Sequence, residues 1–97
     1  MTLEEFKKTL SEMKPPAEAS PALEALWAEA NGDWNRAHRI VQESSDRSAS
    51  WVHAYLHRKE GDTGNAAYWY HRAGREASTL SFNEEWDQIA GQLLASD

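Results

Sequence analysis

The chain is expected to be all-α, built from antiparallel helical hairpins, and three observations lead there. Two Gly-Asp pairs, Gly32–Asp33 and Gly61–Asp62, interrupt two alanine- and aromatic-rich stretches at matching places. Small residues recur around them, with Ala25 and Ala54 before the turns and Ala37 and Ala66 after. Larger apolar residues flank the small ones at helical spacing, which suits ridge-and-groove helix packing better than a β-hairpin. With 97 residues, the sequence predicts one helical domain over 1–97. Its repeat-like core covers about 21–78, with a further helix on either side.

In chain order, Thr2 and Glu5 form a capping box for a first helix over 3–13, with Leu3, Phe6 and Leu10 on one face. Pro15 and Pro16 end it and open the connection "PPAEASP". Ser20 before Pro21 starts the second helix, 21–31. Gly32 ends that helix, and Asp33 caps a third over 34–44. Asp46 or Ser48 caps the fourth, 48–60, which carries Trp51, Val52, Tyr55 and Leu56. Gly61 and Asp62 repeat the turn before a fifth helix, 63–73. Ser81 and Glu84 form a second capping box for the last, 82–94.

Aligning Gly32 with Gly61 also superimposes Leu26 on Tyr55, Val41 on Tyr70 and Ser44 on Ala73. Gly32, Asp33, Trp34, Ala37, Val41 and Ser44 resemble the second-half pattern of the tetratricopeptide-repeat family. Gly61, Asp62, Ala66, Tyr70 and Ala73 resemble it again. Thr63 stands where the family has an aromatic residue, and Ala25 and Ala54 stand where it has a first-helix glycine. Each unit is also shorter than the usual repeat of about 34 residues. The resemblance implies a short solenoid or compact stack of hairpins that binds a peptide or partner protein on the inner face of the first helices. That face would hold Leu26, Glu29, Tyr55 and Arg58.

Composition narrows the function. Ten Lys and Arg against sixteen Asp and Glu give a formal charge of −6, which disfavours a phosphate-backbone partner, and no nucleic acid is expected. The chain has no cysteine, so disulfides, thiolate metal sites and a thiol nucleophile are absent. No apolar run suggests a secretory leader or a membrane span, so a cytoplasmic protein with no membrane partner is expected.

Three of the four histidines lie between Trp51 and Gly74. His53 and His57 share a helix face, and Glu60 follows three residues later. Two imidazoles and a carboxylate are ligands for zinc or a related metal. The spacing lacks the intervening glutamate of HExxH, and no second helix offers an evident further ligand. Packing is therefore the expected role of His53 and His57, with hydrogen bonds to Tyr68, Tyr70, Asn65 or a backbone carbonyl. His38 and His71 look isolated, at surface or boundary positions. "GDTGN" lacks the lysine of a phosphate-binding loop, and no serine–base–acid set is visible.

The sequence-based expectation is a noncatalytic protein-interaction or assembly module without a cofactor. Aromatic and arginine side chains anchor interfaces, so Trp51, Tyr55, Arg58, Tyr68 and Arg72 join Leu26 and Glu29 as contact candidates. The apolar face of the last helix, with Trp86, Ile89, Leu93 and Leu94, would suit a homodimer as well as the chain's own core. The alternative is a small hydrolytic or metal-dependent enzyme. It would use His53, His57 and Glu60, with Arg58 or Arg72 holding an anion.

Overall fold

A computed structural model describes residues 1–96, and every regular element among them is helical. The order is α1 (Leu3–Lys8), a 3₁₀ turn (Thr9–Ser11), α2 (Pro21–Ala30), α3 (Trp34–Gln42), α4 (Arg47–Lys59), α5 (Thr63–Ala73) and α6 (Phe82–Ala95). No helix among the described residues is long and apolar enough to cross a membrane.

The helix starts follow from side-chain caps. Thr2 with Glu5 and Ser81 with Glu84 form the two capping boxes, and Ser20, Asp33 and Asp62 cap α2, α3 and α5. Asp46, not Ser48, caps α4, its carboxylate accepting from the Ala49 amide at 2.7 Å. The first helix is shorter than expected. The Thr9 and Ser11 hydroxyls donate back to the Phe6 and Lys8 carbonyls, and the chain tightens into the 3₁₀ turn.

Three helices end in one motif. After α2, the Gly32 and Asp33 amides donate to the Glu29 and Ala28 carbonyls. After α4, Gly61 and Asp62 repeat this on Arg58 and His57, and after α5 Gly74 and Arg75 repeat it on His71 and Tyr70. This crossed pair of bonds needs a left-handed residue at the turn. Gly32 and Gly61 supply it at φ 85° and 89°.

Packing runs mainly between neighbours in sequence, α2 with α3, α3 with α4, and α4 with α5, while α6 crosses back over α1, α2 and α4. This adjacent-helix packing is that of a generic helical-repeat fold. Ala25, Ala37 and Ala54 are fully buried and Ala66 nearly so, which lets the backbones approach closely. Phe6, Leu26, Val41, Val52, Leu56 and Ile89 fill the space around them. The Trp86 indole donates to the Leu26 carbonyl at 3.1 Å and pins α6 across α2. The apolar face of α6 is thereby set on the chain's own core, with Ile89 and Ala90 fully buried.

Candidate metal centre

Helix α4 is clasped between α3 and α5, and its face toward them carries His53 and His57. Both imidazoles are buried. Trp34, at the start of α3, donates its indole N–H to the Leu56 carbonyl of α4 at 2.9 Å. That bond fixes the two helices side by side. One turn further along α3, His38 then points at the α4 pair. Its Nε2 lies 3.1 Å from His53 Nε2.

Three imidazoles from two helices therefore converge, with ligand nitrogens all within 4.8 Å of one another. Indoles wall them on either side. The Trp34 ring stacks on His38 at 4.9 Å and 8°, and the Trp69 ring of α5 stacks on His53 at 3.8 Å and 13°. The His53 and His57 rings stack on each other at 4.9 Å. His38 is the half-buried member, so the group meets solvent through α3.

The turn after α4 sets the third ligand. Glu60 occupies the cap position, and its carboxylate accepts from His57 Nδ1 at 2.6 Å. A proton held on Nδ1 leaves the Nε2 lone pair of His57 for a metal, the usual orientation of a carboxylate–histidine–metal triad. His57, Glu60 and Asp62 form a second close group. There Asp62 is committed to capping α5 through the Asn65 amide.

Burial favours the neutral form of His38 and His53. Burial, together with the neighbouring His38 and His57, lowers the pKa of His53 to about 4. Burial also lowers His38, and the neighbouring His57 adds to this while Glu60 opposes it. Neutral imidazole is the form that ligates a metal. The other nitrogen of His53, Nδ1, is buried without a hydrogen-bond partner. It lies beside the Trp69 ring, where an oxygen acceptor would be expected for a ligating histidine.

Several expectations are corrected here. Nothing was expected to complete the His53/His57 pair, yet α3 supplies His38. His53 and His57 bond to His38 and Glu60 instead of Tyr68, Tyr70, Asn65 or a backbone carbonyl. Glu60 sits at the cap of α4 and bonds His57, so of the alternative's ligand set His53, His57 and Glu60, only the two histidines join the three-imidazole group. The expected noncatalytic module is overturned by this three-histidine group, two of its rings buried and one half-buried, as is the expectation against an enzyme. His71 is exposed, apart from the others.

The residues expected to meet a partner are spread over different environments. Leu26, Glu29, Trp51 and Tyr55 are buried, and Glu29 pairs with Lys59. Arg58 is spent within the chain, reaching the fully buried Glu85 at 2.8 Å and the Leu80 carbonyl. Tyr68 is 52% exposed, with its hydroxyl accepting from Arg72 at 3.2 Å. Clefts of about 510, 540 and 500 Å³ are lined by other residues than the histidines. The histidine group meets the surface at the half-buried His38 and Trp34.

No family model matches the chain, and neither a curated protein nor a solved structure matches it, so the geometry carries the functional argument.

Proposed function

We propose that this chain is a small metal-dependent enzyme of the hydrolytic class, with His38, His53 and His57 as the ligands of a zinc-like divalent ion. The observation that carries the reading is the convergence of three largely buried imidazoles, one of them oriented by a carboxylate. Three protein ligands with a fourth position left to water is the pattern of catalytic rather than structural zinc. A metal held there would supply Lewis acidity, which lowers the pKa of a ligated water toward neutrality. The protein's share is to keep His38 and His53 neutral, fix His57 through Glu60 and shield two of the three ligands from solvent.

The finer reading of the fold, two tetratricopeptide-like hairpins in a short stack, is supported by the repeated Gly-Asp turn and the buried alanines. In that reading the metal centre lies at the seam, with His38 from one hairpin and His53 and His57 from the next.

The test is metal analysis of protein purified without chelators or nickel resin, followed by turnover assays on ester, amide and phosphodiester substrates. The expected result is one metal ion per chain and a hydrolysis that chelation abolishes. His53→Ala should remove both. Folded protein that takes up no zinc or cobalt and turns over none of these substrates would defeat the reading.

A further inference from the structure

A second set of polar groups lies at the other end of α4, apart from the histidines. Arg47 and Ser48 of its first turn, Trp51 one turn on, Arg75 after α5 and Gln92 of α6 line a cleft of about 540 Å³. Four cations elsewhere in the chain, Lys7, Arg36, Arg58 and Lys59, are held in ion pairs with carboxylates. Arg47 and Arg75, like Lys8, Lys14, Arg39 and Arg72, have no such partner among the described residues, but these two line the same cleft. The Arg47 guanidinium lies beside Gly74, its Nη1 3.6 Å from where a Cβ would project, with no hydrogen bond to another side chain or carbonyl among the described residues. The Tyr70 and His71 carbonyls that end α5 there are already taken by backbone amides.

Arg75 is held in place from below. Its guanidinium stacks 3.5 Å over the Trp51 ring, with one edge 3.5 Å from the Gln92 carbonyl oxygen. Trp51 is 95% buried, yet its indole N–H, like that of Trp69, has no acceptor among the described residues, whereas those of Trp27, Trp34 and Trp86 each donate to a carbonyl. Of the acids nearby, the Asp46 carboxylate is occupied by the Ala49 amide and the Ser44 hydroxyl. Glu85 is occupied by Arg58 and Tyr70, and exposed Glu76 lines the adjoining cleft.

We propose that this cleft binds the phosphoryl group of a small phosphorylated ligand between Arg47 and Arg75, with the Trp51 indole N–H as a further donor. Two guanidinium groups from separate elements match a dianion in charge, and their planar donor sets match its oxygens. A monocarboxylate would balance only one of them.

The experiment follows the Trp51 indole N–H resonance by NMR, assigned with Trp51→Phe, at constant ionic strength. The probes are inorganic phosphate, glycerol phosphate and acetate. Either phosphate should shift the resonance saturably, and comparison of the two tells free phosphate from a phosphate ester. Arg47→Gln, at an exposed position, should weaken binding roughly tenfold or more, as should Arg75→Gln. No saturable shift with either phosphate, an equal shift with acetate, or undiminished binding in both variants would overturn the assignment. Metal content of these variants should be unchanged, which keeps the test independent of the histidine centre.

Discussion

His38 and His53, fifteen residues apart on different helices, meet nitrogen to nitrogen at 3.1 Å. Between two neutral imidazoles only one of those nitrogens carries a proton, so the contact is a single hydrogen bond. Whichever tautomer His53 adopts, its Nδ1 stays unsatisfied in a buried place. A buried polar atom without a partner costs about 1–3 kcal/mol. The fold therefore holds this cluster against a local penalty, and a metal shared among the rings is what would offset it. Zinc at about a hundredfold above its dissociation constant should raise stability by roughly 2.7 kcal/mol. Thermal unfolding of wild type and His38→Ala, with and without zinc, measures this. A zinc-dependent rise that survives in His38→Ala would place the metal elsewhere.

Glu60 gives a sharper test, because it touches His57 without belonging to the three-histidine set. Glu60→Gln keeps a hydrogen-bond acceptor but loses the charge, and Glu60→Ala loses both. Removing the carboxylate partner of a metal-bound histidine typically lowers metal affinity about 10–100-fold. The expected order of zinc affinity is wild type, then Gln, then Ala, read by competition with a chelator of known strength. Equal affinities in all three would make Glu60 a plain helix cap.

The sequence revealed the fold more readily than the centre, for a physical reason. Caps and turns are local. Ser20, Asp33, Gly61 and Ser81 act within a few residues of themselves, so their chemistry can be read in place. His53 and His57 were also local, four apart on one helix. His38 was not, because its meeting with them depends on how α3 lies against α4. The available signal was Trp34, one turn before His38 on the same face: adjacent-helix stacking sets α3 on α4 and carries both residues toward it. Arg58 misled in the same way. Its charge looked available to a partner, but Glu85 answers it from α6, twenty-seven residues on.

That ion pair yields a prediction about stability. Glu85 is fully buried and accepts from Arg58 at 2.8 Å and from the Tyr70 hydroxyl at 2.6 Å. Glu85→Ala would strand a largely buried cation and a buried hydroxyl together. Breaking a buried pair in this way costs about 3–5 kcal/mol. Chemical denaturation should show that loss, and a double substitution of Glu85 and Arg58 by methionine should recover part of it. A loss under about 1 kcal/mol for Glu85→Ala would mean that water already reaches the pair.

The same neighbourhood sets the response to alkali. Burial raises the pKa of Tyr55, with the Glu29 charge and hydrogen bond adding to it. Burial raises Tyr70 as well, reinforced by its hydrogen bond to Glu85 and that carboxylate's charge. Both hydroxyls keep their protons in the fold above the value near 10 at which an unfolded tyrosine loses its own. Their contribution to stability is complete below that pH and declines as pH rises past it, because the unfolded chain then binds fewer protons than the native one. Two such groups give a slope approaching about 2.7 kcal/mol per pH unit, and Tyr70→Phe should roughly halve it. The measurement is denaturant unfolding between about pH 9 and 12, with tyrosinate absorbance followed in a Tyr68→Phe background so that only the buried rings report. Ionisation of either ring while the helical signal is intact would contradict this account, because both protons should leave only as the core opens.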